Sequence, residues 1–234
     1  MFNMFENTNP PTLANDDLLL ASAKGDLDGV INALNEGADP NYFPKEDSPL
    51  ACAVRNGHKE ISKILIERGA NINVENRYQW RPFHEAAKQG NMELLTILVE
   101  HPMLVKTKRD ADGHSALRVA VEHRHQDAVE LILKHTSNVD STDFEGNSTL
   151  MVAVKNDDFN MAQLLIKNGA TIDLTNNDGI SAADLSIDKP HFVALFGKAN
   201  GPKEEAAILE KETQNIEKKE NLGMSVISKK KRPQ

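Results

Sequence analysis

Three short polar stretches recur along this chain at a fixed interval, and that interval limits what it can fold into. "DADG" begins at Asp110, "DFEG" at Asp143 and "NNDG" at Asn176, each 33 residues from the next. The positions behind them keep step: Ser48, Arg81, Ser115, Ser148 and Ser181 are separated by 33, 34, 33 and 33. A second series runs alongside, with "EGADPN" ending at Asn41, "RGANIN" at Asn73 and "NGATID" at Asp173. The segments between are helical in pattern: in "HKEISKILIERGA", Ile61, Ile64, Leu65 and Gly69 fall at helical spacing. A period in the thirties signals stacked units, each too small to bury its own apolar face.

"SPLACAVRNGHKEISKILIERGANIN" from Ser48 resembles the ankyrin repeat almost throughout. That family's pattern is a turn, a Thr-Pro-Leu-His-like start, an Ala-rich helix, Gly-His, a second helix and Gly-Ala-Asp-Val-Asn. "RPFHEAAKQGNMELLTILVE" from Arg81 follows most of it, with Arg in place of Thr. "SALRVAVEHRHQDAVELILKH" and "STLMVAVKNDDFNMAQLLIKNGATID" follow it less strictly. "LLLASAKGDLDGVINALNEGADPN" lacks the opening turn, as a capping unit does. The resemblance implies an all-α ankyrin-repeat solenoid of about five full helix-turn-helix units plus a partial C-terminal cap. The expected boundaries are 1–15 for a disordered N-terminus, 16–196 for the repeats and 197–234 for a charged tail, flexible or helical. "DGISAADLSI" opens a sixth unit whose second helix is expected to be short, from His191 to Phe196.

The pattern has a packing logic. Ala53, Ala86, Ala87, Ala120 and Ala153 let helices and adjacent units approach closely. Leu50, Phe83, Leu117 and Leu150 are expected to stack into one core. Gly37, Gly69 and Gly169 suit left-handed helix ends. "HPMLV" from His101 and "TSNV" from Thr136 lack that glycine, and a non-glycine there costs about 1 kcal/mol. Together with Pro102 and the 34-residue spacing, this predicts a softer junction between units three and four.

Composition narrows the function. No apolar run approaches the roughly 18–20 residues of a membrane-spanning helix, and Met1 to Pro11 lacks the pattern of a secretory signal peptide. A single cysteine, Cys52, excludes an internal disulfide. The net charge of −8 disfavours nonspecific nucleic-acid binding. No catalytic constellation, metal site or cofactor motif is found. "HEAAK" at His84 has Lys88 where a zinc protease needs its second histidine. Asp110, Asp112 and His114 begin like a calcium loop, but Val121 stands where a bidentate Glu is required. His123 and His125 have no third ligand at a recognisable spacing. Cys52 falls on the inward side of a helix, where it acts as a small hydrophobe. The expected role is binding to another protein, as a monomer, with no enzyme activity, no membrane and no nucleic acid.

In ankyrin arrays the turns project as fingers, and turn tips and first-helix edges make a concave binding face. The resemblance therefore places candidate contacts at Tyr42, Phe43, Lys45, Arg55 and Asn56, then at Arg77, Tyr78, Trp80, Lys88 and Gln89. Further along they fall at Asp112, His114, Glu122 and His123, then at Phe144 and Asn147. Both tyrosines and the single tryptophan lie on two neighbouring fingers. Amphipathic aromatics beside Arg are typical interface anchors. Packing between turns is the competing role for Tyr78 and Trp80.

The tail differs in charge. Residues 198–234 hold nine Lys or Arg and six Glu, leaving the body near −11 and the tail near +3. Lys229 to Arg232 resembles a short nuclear-import signal. Glu210, Glu212, Glu217 and Glu220, followed by small and apolar residues, resemble the C-terminal signal of type IV-secreted bacterial effectors, among which ankyrin arrays recur. An effector acting on host proteins, an ordinary cytoplasmic adaptor and a nuclear regulator all remain open at this point.

Overall fold

The computed structural model describes residues 11–44 and 47–200, and within them every extended element is a helix. Helices pair in chain order. The pairs are α1 (Pro11–Lys24) with α2 (Leu27–Asn35), α3 (Pro49–Arg55) with α4 (Lys59–Glu67), and α5 (Pro82–Gln89) with α6 (Met92–Glu100). They continue with α7 (Ala116–Glu122) and α8 (Gln126–His135), then α9 (Thr149–Lys155) and α10 (Phe159–Lys167). First helices stack in the series α1, α3, α5, α7, α9, and second helices in the series α2, α4, α6, α8. α1 begins at Pro11, ahead of the expected start at residue 16, because Ala14 is already buried and Asn15 accepts the Asp39 N–H at 2.7 Å.

The predicted core is found in place. Leu50, Leu150 and the alanines at 53, 86, 87, 120 and 153 are fully buried, and Phe83 and Leu117 nearly so. Ser48, Ser115 and Ser148 cap α3, α7 and α9 by accepting the backbone N–H three residues on. Arg81 cannot accept a bond, so the roles reverse: its own N–H donates to His84 Nδ1 at 3.3 Å.

Each of the last four fingers is closed by one side chain. Asp110 Oδ1 accepts the N–H groups of Asp112 and His114, Asn76 Oδ1 those of Tyr78 and Trp80, and Asn176 Oδ1 those of Asp178 and Ile180. The fourth residue of each turn takes positive φ: Gly113, Gly146 and Gly179, but Gln79 at +56° in the finger before α5. The expected strain at His101 and Thr136 does not occur. Both residues leave their helices in extended conformation, with φ of −68° and −138°, so no left-handed residue is needed there. Among the described residues, the non-glycines at positive φ are instead Gln79, Arg124 and Asp157.

Behind the fingers, consecutive repeats are clasped through the loops after their second helices. Asn41 bonds Gly69 O and Asn71 N–H, and Asn73 bonds Met103 O and Val105 N–H. Asp140 accepts from both the N–H and the hydroxyl of Thr171. Thr107 occupies the corresponding place between the third and fourth repeats and, among the described residues, makes no such clasp.

The described residues through Ala182 form one compact body, and those from Ala183 a second. The second body corrects the expectation for the sixth unit. α11 runs from Pro190 to Asn200, so the second helix is full length, whereas the first is only a 3-10 turn, Asp184–Ser186. Pro190 comes nine residues after Ser181, while the four preceding second helices begin eleven residues after the same position. Two residues are missing from the first helix, and the proline disfavours helix in the residue before it. Within this body Phe192 and Phe196 are buried, their rings 6.0 Å apart.

Candidate binding face

The expected aromatic fingers border an open cleft of about 340 Å³. Its lining comes from two fingers and two helices: Asp47 at the base of the finger before α3, Arg55 at the end of α3, and Asn76, Arg77, Tyr78 and Trp80 on the next finger. Glu85 and Lys88 of α5 complete it. The sequence pattern places these residues together because α3 and α5 stack side by side and each finger stands over the helix that follows it.

The two aromatics of the cleft each carry a cation. The Arg77 guanidinium lies 4.8 Å from the Tyr78 ring centroid, and Lys88 Nζ lies 5.3 Å from that of Trp80. Tyr78 is 55% exposed, whereas Trp80 is half-buried, with the imidazole of His84 6.0 Å behind it. Trp80 is thus packed on one side and open on the other. Burial holds the His84 imidazole below its usual titration range, with Asp110 pulling the other way. Arg55 is committed to Asp47 by two parallel bonds of 2.7 and 2.6 Å. That hydrogen bonding, more than burial opposes it, raises the guanidinium's pKa, and Glu85 adds to the effect.

Other expected residues are distributed differently. Tyr42 is half-buried and donates its hydroxyl to Asp16 Oδ1 at 2.8 Å, which raises the phenol's pKa. Phe43 is exposed, and Lys45 lies outside the described residues. Asn56 caps α3 and donates to Cys52 O, while Gln89 donates to Arg55 O at 2.7 Å, so that amide is spent on joining repeats. Asp112, Glu122 and His123 are exposed, and the His123 ring stacks on His125 at 6.3 Å. Phe144 is the most open aromatic described, at 66%.

Asn147 needs correcting. It is 3% exposed and offers no surface to a partner. Its amide donates to Asp143 and Glu145, and its Oδ1 accepts from Lys155 and Asn176 at 3.1 and 3.0 Å. A buried amide with every lone pair and proton used is an internal tie. His114 is half-buried, with Nδ1 3.7 Å from Asp110 Oδ2. The donor atoms of Asp110, Asp112 and His114 gather within 4.8 Å, yet the same turn chemistry closes the other fingers, so the cluster is accounted for by the finger itself.

Sequence reasoning missed one buried connection. Arg118 sits three residues after its helix cap, the place His84 holds in the repeat before. It reaches the following finger, with Nη2 2.9 Å from Asp143 Oδ2 and Nη1 donating to Asn147 O at 3.2 Å. The signal was a cation at a position where the pattern calls for histidine.

Stacked helix pairs with projecting turns and a cleft on the first-helix side define a repeat scaffold that presents a recognition surface. The chain belongs to the ankyrin-repeat family: the model for "Ankyrin repeats (3 copies)" matches residues 18–109 and 101–178. Among solved structures it is similar to the ankyrin repeat protein EF0377, with a TM-score of 0.71 and 29% identity, covering 84% of this chain and 97% of that one. The ankyrin repeat domain of Bcl-3, a member of the IkappaB family, gives a TM-score of 0.73 and 25% identity, covering 84% and 89%. Among curated proteins, the probable 26S proteasome regulatory subunit p28 of Saccharomyces cerevisiae is 26% identical over 53% of this chain and 56% of its own length. The RelA-associated inhibitor of Mus musculus is 32% identical over 46% and 13%. The chain spans less than two thirds of the length of these curated relatives. No described helix is long and apolar enough to cross a membrane.

Proposed function

We propose that this chain recognises another protein and grips it at the cleft between the fingers before α3 and α5. The contact extends along the first-helix edges toward Glu122, His123 and Phe144. One observation carries the reading: in a chain with a single tryptophan, that residue and Tyr78 line the same open cleft, each with a cation over its ring. Partly exposed Trp and Tyr beside basic groups are the side chains most enriched at interface hot spots. The more acidic half around Asp112 and Glu122 adds orientation and selectivity. The chain acts as a monomer, without chemistry of its own. Quantitative capture from host-cell lysate on immobilised full chain and on Trp80→Ala tests this. Proteins retained by the native chain and lost with Trp80→Ala support it, and identical capture by both overturns it.

The proposal extends to delivery. The Glu-rich and apolar pattern after Glu210 favours an effector handed to a host cell by a type IV secretion system over a resident adaptor, and those residues lie outside the described part of the chain. Deleting 203–234 should abolish transfer of a reporter fusion from a bacterium carrying such a system while leaving partner capture intact. Unchanged transfer refutes this extension. If replacing Lys229, Lys230 and Lys231 instead removes the protein from the nucleus, the nuclear reading takes its place.

A further inference from the structure

We propose that the cleft selects an acidic segment, taking an Asp or Glu side chain at the Lys88 ammonium and seating a neighbouring apolar side chain on Trp80. This rests on the cleft being the docking site and adds what it accepts. The charges of the lining decide the sign. Asp47 is bound by both guanidinium nitrogens of Arg55, and Glu85 favours the same cation. One of the two carboxylates of the cleft is thus committed to Arg55, which leaves Glu85 against the three cations of the lining, Arg55, Arg77 and Lys88. Lys88 is exposed, is held over the Trp80 ring at 5.3 Å, and pairs with no carboxylate among the described residues.

An incoming carboxylate therefore meets an ammonium already positioned by the ring beneath it, which lowers the ordering cost of the contact. An incoming lysine would meet Lys88, Arg55 and Arg77 together, with only Glu85 to receive it. The body's overall negative charge opposes an acidic partner weakly, because at physiological salt charges farther than about 8 Å are largely screened. A phosphate is a poorer fit. It is best held by a guanidinium fork or several convergent donors, and here the fork of Arg55 is taken by Asp47 while the Arg77 guanidinium lies over the Tyr78 ring. The ring of Trp80, half-buried against His84, provides the apolar seat beside the ammonium.

The test is selection of peptides from a random displayed library on the full chain, followed by titration of synthetic winners against Trp80 emission, which reports only this site because the chain has one tryptophan. The expected winners carry Asp or Glu beside Leu, Ile or Phe and shift the Trp80 emission. They should lose about tenfold or more in affinity to Lys88→Glu, and little to Lys88→Arg. Winners that shift Trp80 emission without acidic enrichment, or that bind Lys88→Glu equally well, overturn the inference and leave the docking site standing. Winners that never perturb Trp80 overturn both. A winner bound about tenfold more tightly when phosphoserine replaces its Glu overturns the choice of carboxylate over phosphate.

Discussion

Replacing Arg118 by Met isolates the energetic worth of a buried contact between repeats. The two side chains of the Arg118–Asp143 pair are 10% and 6% exposed, so solvent screens the interaction little. Truncating one partner of such a pair leaves a buried charge without compensation, at a cost of about 3–5 kcal/mol. Here the lower end applies, because Asp143 keeps the N–H and amide of Asn147 at 2.7 and 3.1 Å. About 3 kcal/mol in a body of this size lowers the melting temperature by roughly 6–12 °C. The pair is also imperfect, since Arg118 Nε finds no acceptor. Replacing both residues, with Arg118→Met and Asp143→Asn, should therefore recover at least half of the loss. Acidity supplies a second check. Burial pushes the Asp143 carboxyl up, but hydrogen bonds from Asn147 and the charge of Arg118 outweigh it and hold the pKa below the usual value. A depressed carboxylate gives stability that is complete above the unfolded pKa of about 3.9 and is lost as pH falls through the lower folded value. The deficit of Arg118→Met should accordingly shrink below about pH 4. Urea denaturation followed by circular dichroism at pH 7 and at pH 3.5 measures it. A deficit under about 0.5 kcal/mol, or one independent of pH, refutes the reasoning.

Gln79→Gly should stabilise the protein by about 0.5–1 kcal/mol, since only here, among the described residues, does a finger place a non-glycine at positive φ; an unchanged urea midpoint contradicts it. Burial pushes the Cys52 thiol up to about 11, so alkylation at pH 8 should run about a hundredfold slower than for a free thiol of pKa about 8.5, and a rate near the free value excludes that environment. Amides in the loop around 136–141 should exchange faster than those around 67–80, because Thr107 gives that loop no clasp like the one Asn41 gives the Asn71 N–H; uniform protection counts against a soft junction. Trp80→Ala should cost more than about 2 kcal/mol of partner binding with little change in melting, and a large fall in stability would reassign the ring to packing alone.

The repeats were legible because a 33-residue period ties every buried Ala and Leu to a position, and one unit's packing predicts the next. The cleft was legible for the same reason, since finger and helix-edge positions follow from register. What escaped depends on what a neighbour supplies. Asn147 occupies the same finger position as Trp80 and His114, yet it turns inward because Lys155 and Asn176 both reach its carbonyl oxygen. No pattern within one unit announces that. The expected strain after α6 and α8 failed because those helices end without a left-handed residue, as the extended His101 and Thr136 caps show. The sixth unit's shortened first helix is written in the sequence as the reduced spacing to Pro190, a signal that lies between the turn motifs and not within them.

The absent clasp at Thr107 has a mechanical meaning. At that junction the front is tied, through the Ala111 N–H to Tyr78 O and through His125 to Lys88 O, while the rear loops are left unlinked. A joint hydrogen-bonded along one edge bends most easily about that edge, against only the packing of α6 on α8, so the first three repeats and the next two can change curvature without breaking a hydrogen bond at the fingers. A partner seated only in the Trp80 cleft would leave this compliance untouched. One that also reaches Phe144 would have to choose a curvature, and its affinity would then report the bending stiffness of the array as well as the quality of its contacts.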